Sequence, residues 1–244
     1  MTASVSSTAL SHKAPESVDV LVVGAGLSGL YILHCLRQRG LTARAFEAGS
    51  GVGGTWYWNR YPGARVDVES MQYSYNFSDE LIREWKWTEK FADQPELLRY
   101  VNYVADKFDL RRDVKFDTRV KSAVFDSDAN LWTLETDQGD VAQAPYCFMA
   151  TGSLSTPYRP PFPGIESFRG EWYHTATWPH EEVDFTGKRV GIVGTGSTDR
   201  TVEIAREHGA VTGFFPWCDD FSAARNASIE SRRMVATCAS LSSA

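Results

Sequence analysis

From Val18 the chain alternates between short apolar runs and segments with helical spacing. VDVLVV, ending at Val23, is almost continuously apolar, the pattern of a strand covered on both faces of a parallel sheet. GAGLSG then turns the chain into a helix expected from about Ser28 to Arg39, closed by Gly40, where a left-handed backbone is needed. LTARAFE reads as a second strand, so the fold opens on one right-handed strand-helix-strand unit. Residues 48–70, AGSGVGGTWYWNRYPGARVDVES, keep neither the strand nor the helix period, and a loop of that length inside a compact chain is usually functional. Residues 79–108 carry helical patterns. The clearest is QPELLRYVNYVADKF, with Pro95 suited to a first turn and Leu98, Val101, Val104, Ala105 and Phe108 at helical spacing. Between 114 and 148 the runs VKFDTRVKSAVFD, NLWTLETDQG and VAQAPYCFMA alternate as strands. They predict a small antiparallel layer and a return strand ending at ATG, residues 150–152.

STPYRPPFPG then connects to GKRVGIVGTG, residues 187–196, which begins a second strand-turn-helix unit. The fold class is therefore α/β. A Rossmann-like domain with a parallel sheet and a small antiparallel layer is expected over 18–155, a linker over 156–185, and an incomplete second Rossmann-like domain with an irregular tail over 186–244. Residues 1–17, rich in Ser, Thr and Ala, predict a mobile arm.

Composition narrows the partners more than the fold. The 244 residues carry a formal net charge of −6 and no Lys/Arg-rich run, which argues against a nucleic-acid surface and for a small molecule. The cysteines at 35, 147, 218 and 238 are too far apart for a C-x-x-C metal or redox motif, so no metal site is expected. Nothing before residue 20 has the charged-then-apolar order of a signal peptide, and three glycines and His34 interrupt the apolar stretch Val20 to Leu36, so neither export nor a membrane span is expected. A reducing, cytoplasmic setting is the expectation.

The first turn carries the chemistry. G-x-G-x-x-G is weak alone, but here it joins a strand to a helix. Gly24 permits the tight turn, Gly26 lets a phosphate approach the backbone, Gly29 lets helix and strand pack closely, and the helix N-terminus offers free N–H groups to a pyrophosphate. Glu47 follows 23 residues after Gly24, at the end of the second strand, where a carboxylate accepts from both ribose hydroxyls of an unphosphorylated adenosine. On these grounds FAD and NAD both remain open.

Phe168, Gly170, His174, Trp178 and Pro179 stand at the spacing F-x-G-x-x-x-H-x-x-x-W-P. Together with VGAGLSGLY, FEA, GVGGTWYWNRYPGARVDVES and MATG, in that order, this segment resembles the Baeyer-Villiger monooxygenases over about Val18 to Gly196. The resemblance implies FAD in the first domain and NADPH in the second. It also implies conversion of a small-molecule ketone to an ester or lactone with O2, through a C4a-peroxyflavin. By the same resemblance Ser28, Glu47, Gly54, Thr55, Trp56, Asp67 and Tyr73 become FAD-site candidates beside the three glycines. Asp67 is implied to sit by the isoalloxazine and support a catalytic arginine supplied from far later in the family's chain. His174 and Trp178 are implied to lie in the hinge between the two domains.

The second turn departs from that pattern. Gly194, Thr195, Gly196 and Ser197 match the family's NADPH motif, but Asp199 stands where its third glycine belongs, and Asp219 and Asp220 follow where an arginine would meet the 2′-phosphate. Residues beyond about Thr198 are therefore expected not to form a cofactor site, and a truncated or frame-altered relative, inactive alone, is the expectation. Two alternatives stand beside the Baeyer-Villiger reading: a flavin monooxygenase acting on nitrogen or sulfur, whose fingerprint usually ends in Tyr or Phe, and a non-catalytic chain keeping part of an FAD-binding fold.

Overall fold

A computed structural model describes residues 14–157, 165–191, 193–194 and 237–239. It contains two compact units, each assembled from two stretches of chain: Met1–Val52 with Ala105–Thr151, and Gly53–Val104 with Gly152–Ala244.

The first unit is built on the parallel sheet that the apolar runs predict. Strands β2 (Val20–Val23), β3 (Ala43–Phe46), β4 (Val114–Lys115) and β8 (Tyr146–Met149) lie in the order β4-β3-β2-β8. Val23 is in register with Phe46 on one side and Met149 on the other. Val20, Leu21 and Val22 are essentially fully buried, as a strand covered on both faces requires. Helix α1 (Leu27–Gln38) buries Leu30, Leu33 and Leu36, an apolar row at spacing three. Full burial of one such leucine contributes about 1.5–3 kcal/mol. Gly40 follows at φ +70°, the left-handed closure expected of it.

The antiparallel layer consists of β5 (Val120–Asp126), β6 (Leu131–Thr136) and β7 (Val141–Ala144). Leu134, Ala142 and Ala144 from this layer pack with Leu21 and Phe46 of the parallel sheet in one core cluster. Two expected strands are in fact divided between the sheets. VKFDTRVKSAVFD breaks at Asp117, which takes φ +50°, so Val114–Lys115 joins β3 and Val120–Asp126 joins β6. VAQAPYCFMA breaks at Pro145, whose missing N–H cannot continue a ladder, so its halves serve β6 and β2. The end of the stretch expected as a mobile arm is also structured: Glu16–Ser17 form β1, parallel to β7, and Glu16 pairs with Arg44 at 2.8 Å.

The second unit begins at Gly53. The glycine- and aromatic-rich stretch holds one helical turn, α2 (Thr55–Trp58), and a 3₁₀ turn at Ser70–Tyr73. Residues 79–108 divide into α3 (Asp79–Glu84), capped by Ser78, and α4 (Gln94–Lys107), whose Glu96 N–H donates to Asp93 Oδ1 at 2.9 Å. Pro95 falls in the first turn of α4 as expected. The buried row of α4 is Leu97, Tyr100, Val101, Val104 and Ala105, shifted from the expected one, because Tyr100 brings the largest ring inward and leaves Leu98 and Phe108 half-buried.

Beyond residue 164 the described residues form short pieces, with β9 at Tyr173–His174 and β10 at Val193–Gly194. Thr237–Ala239, in the tail expected to be irregular, forms β11 instead, parallel to both β9 and β10. Three residues are too few for a hydrophobic period to register in sequence. The expected turn beyond Gly194, with Thr195, Gly196, Ser197 and Asp199, lies outside the described residues, as do Asp219 and Asp220.

Candidate functional site

The glycine turn in the first unit is shaped by close backbone approaches. Gly24 takes φ +102°, and a methyl group there would lie 2.5 Å from the Ala150 carbonyl oxygen. At Gly29 a methyl group would lie 2.1 Å from the Gly24 carbonyl oxygen. Gly26 occupies the N-cap of α1 and has no side chain to cap it. That arrangement suits an anion. Ser28 stands exposed in the same turn.

Glu47 is buried at 5% exposure, and its carboxylate is already engaged. Oε2 accepts from the Ala25 N–H at 2.7 Å and Oε1 from the Gly49 N–H at 2.9 Å. The Glu47 backbone adds two bonds, to the Lys115 carbonyl and from the Thr118 N–H. The side chain therefore ties the glycine turn to the end of β3, a role its spacing in sequence does not reveal. A carboxylate has about four acceptor positions, so capacity remains for ribose hydroxyls.

The second unit carries the remaining expected residues. Gly54 caps α2 and Thr55 opens it; Trp56 and Tyr57 are buried and Trp58 is exposed. Trp56 meets Tyr73 edge-on at 5.7 Å. Burial, and secondarily the charge of Asp67, push the Tyr73 phenol above its ordinary value, against a hydrogen bond with Trp56. Asp67 is exposed, on a segment clamped along its length: Gln94 N–H to the Ala64 carbonyl, Val66 N–H to the Ala92 carbonyl, and Ser70 N–H to the Lys90 carbonyl. Ser70 Oγ adds donation to the Glu89 carbonyl at 2.8 Å and acceptance from the Ala92 N–H at 2.8 Å. Gln94, which sequence reasoning passed over, donates from Nε2 to the Trp56 carbonyl at 2.5 Å. Only the residue type at a helix start could have hinted at it.

The F-x-G-x-x-x-H-x-x-x-W-P segment also lies in the second unit, and its spacing now has physical content. A methyl at Gly170 would meet the Phe168 ring at 2.6 Å, so the glycine leaves room for that ring. His174 is buried and accepts at Nδ1 from the Ala176 N–H at 3.1 Å, which leaves a proton of the neutral ring on Nε2. Trp178 is buried between Tyr173, at 5.3 Å, and Phe185, at 6.1 Å. Just after Pro179, His180 was not foreseen. Its ring meets Tyr57 at 5.1 Å and lies 6.2 Å from Trp58, joining this segment to α2. Burial, then the Arg60 charge, lower the His180 pKa, with Glu181 opposing.

A glycine turn between strand and helix, a buried carboxylate behind it and this aromatic segment in one chain match known proteins. The model of a family described as flavin-binding monooxygenase-like covers residues 17–213. This chain belongs to that family. An acetone monooxygenase (methyl acetate-forming) of Gordonia sp. (strain TY-5) is 51% identical over 182 residues, 75% of this chain and 34% of that protein. Phenazine N-monooxygenase PhzNO1 of Lysobacter antibioticus is 47% identical over 181 residues, 74% of this chain and 33% of that protein. Among solved structures, an oxidized steroid monooxygenase bound to NADP superposes with a TM-score of 0.74 at 50% identity, covering 89% of this chain and 43% of that one. A Baeyer-Villiger monooxygenase of Pseudooceanicola batsensis is 49% identical over 181 residues, 74% of this chain and 33% of that protein, in line with the resemblance; the chain spans about a third of the length of these curated relatives.

No described group of His, Cys, Asp and Glu could hold a metal ion, and no described helix is long and apolar enough to cross a membrane.

Proposed function

We propose that this chain is the FAD-binding portion of a Baeyer-Villiger monooxygenase acting on a small-molecule ketone with O2 and NADPH. The observation that carries the proposal is the tight glycine turn, where a methyl at Gly24 or Gly29 would clash with backbone, backed by buried Glu47. It fits a dinucleotide whose adenosine ribose is unphosphorylated, and the family is flavin-binding.

In this reading Gly24, Gly26 and Gly29 cradle the pyrophosphate, with Ser28 beside it, and Glu47 orients the ribose. FAD, when bound, supplies the redox and oxygen-activating chemistry, while the protein supplies orientation and water exclusion. Gly54, Thr55, Trp56 and Tyr73 would line the flavin. Asp67 would position a guanidinium, and its clamped, exposed segment is suited to present a carboxylate. His174 and Trp178 would couple the nicotinamide to the flavin, with Phe168, Gly170 and Pro179 setting the shape of that segment. Gly194, Thr195, Gly196 and Ser197 would begin the NADPH turn, which Asp199 opposes. The domain boundaries at residues 17, 155 and 185 and a cytoplasmic setting belong to the same proposal.

Equilibrium titration of the purified chain with FAD, NAD and NADP tests it. FAD is expected to bind in preference to both nicotinamide nucleotides. A preference for either of those overturns the assignment.

A second reading, oxygen insertion at an aromatic amine nitrogen, is favoured by one observation, the similarity to a phenazine N-monooxygenase. The Trp178-Pro179 ending favours the ketone.

A further inference from the structure

Six aromatic rings of the second unit form a series that begins at Trp56 and Tyr73, which the proposed flavin site uses, and runs on through four rings that it does not use. Trp56 meets Tyr73 at 5.7 Å. Ser74, the next residue, accepts from the Trp87 indole N–H at 2.8 Å, and Trp87 packs with Tyr73 against the same core cluster as Trp56. From Trp87 the contacts run to Tyr100 at 4.9 Å and Trp85 at 5.6 Å, and from Trp85 to Tyr103 at 5.6 Å. At the far end the Tyr103 hydroxyl donates to the carboxylate of exposed Glu84.

We propose that this series is a relay that carries an oxidising equivalent from the Trp56 end to the surface at Tyr103 and Glu84. The proton environments of the rings give it direction. The Trp85 indole N–H is buried and meets no hydrogen-bond acceptor among the described residues, so an indolyl radical cation formed there has no base to take its proton and stays mobile. Burial raises the Tyr75 phenol and pushes that of Tyr100 up to about 12, and the Tyr100 hydroxyl oxygen accepts from the Tyr75 N–H at 2.7 Å. Neither interior phenol readily gives up a proton. Tyr103 differs, because its proton already points at a carboxylate. Loss of an electron from a phenol is favourable near neutral pH only when the proton leaves with it. In the final step one electron passes from Tyr103 to the Trp85 radical cation, restoring the neutral indole, while the Tyr103 proton passes to Glu84, leaving a neutral phenoxyl radical and a carboxylic acid.

The initiating species is a one-electron oxidant, in the enzyme an oxygen-derived radical released at the flavin. That source rests on the proposed function. The relay does not, so its test uses azide radicals, which oxidise indole side chains and are reduced to azide anion. In pulse radiolysis of the intact chain, the indolyl absorption should decay as the phenoxyl absorption rises, in a phase independent of protein concentration and slower in D2O. Tyr103→Phe should lose the larger part of that phase, and Glu84→Gln, a surface change that leaves the phenol in place, should slow it. Tyr146→Phe, an exposed tyrosine of the first unit, should leave it unchanged. An unaltered phase in both Tyr103→Phe and Glu84→Gln, or no such phase in the wild-type chain, overturns the relay, whatever the outcome of the FAD titration.

Discussion

At Gly29 a single methyl group would break the glycine turn. The obstruction is the Gly24 carbonyl at 2.1 Å, which is backbone and held between two strands. Gly29→Ala is expected to cost about 1–3 kcal/mol of stability, as overpacking does, and to weaken FAD binding. Urea unfolding and FAD titration measure the two effects. Gly170 offers the contrast. There the methyl meets the end of the partly exposed Phe168 ring, which can swing outward, so Gly170→Ala should stay within about 0.5 kcal/mol of wild type by the same measurement. Glu47→Gln tests the carboxylate. One of its two oxygens becomes an NH2 group facing a backbone N–H, either that of Ala25 or that of Gly49. An unsatisfied buried donor costs about 1–3 kcal/mol, so loss of stability should appear even without cofactor. A Glu47→Gln chain as stable as wild type would show that ribose binding alone accounts for this residue.

Among the elements, α1 and the segment after α4 share a buried histidine. His34 meets Phe108 edge-on at 4.9 Å, and Arg37, one turn on, bonds the carbonyls of Phe108 and Asp109 and the carboxylate of Asp113. Burial first and the Arg37 charge second hold the His34 pKa below its ordinary value. The folded state therefore prefers neutral imidazole. Its contribution is present above the ordinary histidine value and is lost as pH falls through the lower folded one. Thermal melts across that interval should show stability declining with acid, and His34→Asn should flatten the decline. The elements themselves were largely legible in the sequence. Continuous apolarity marked β2, Gly40 marked the end of α1, and Pro95 marked the start of α4. What was hidden was allegiance: Pro145 and Asp117 each send one apolar run into two sheets, and a period-two pattern looks the same in either. The glycines and Glu47 of the phosphate turn were readable because their spacing follows from chemistry. Gln94 and His180 were not, since their partners, the Trp56 carbonyl and the Tyr57 ring, are distant in the chain and carry no period.

For the molecule as a whole, charge decides how far the family's chemistry extends. The net charge is −6, and the sequence carries Asp199 at the third glycine position of the second motif, with Asp219 and Asp220 following. Two like charges about 4 Å apart at an effective dielectric near 20 repel by about 4 kcal/mol, enough to remove micromolar binding built on ordinary contacts. Asp199→Gly removes the nearest charge and restores the glycine. It leaves Asp219 and Asp220, which the sequence carries in place of an arginine for the 2′-phosphate. The single substitution is therefore expected to leave NADPH binding undetectable by titration, and recovery should require an arginine in place of Asp219 or Asp220 as well. Turnover follows the same logic. Among the described residues no cation is paired with Asp67, and loss of one preorganised charge partner typically costs about a hundredfold to a thousandfold in rate. On the proposed reading, an NADPH turn opposed by Asp199 would remove the reductive step too. With FAD, NADPH, O2 and a panel of cyclic and aryl ketones, the 244-residue chain alone should form no ester above a free-flavin control. Ester formation above that control would mean that the acids after the second turn face away from the nucleotide.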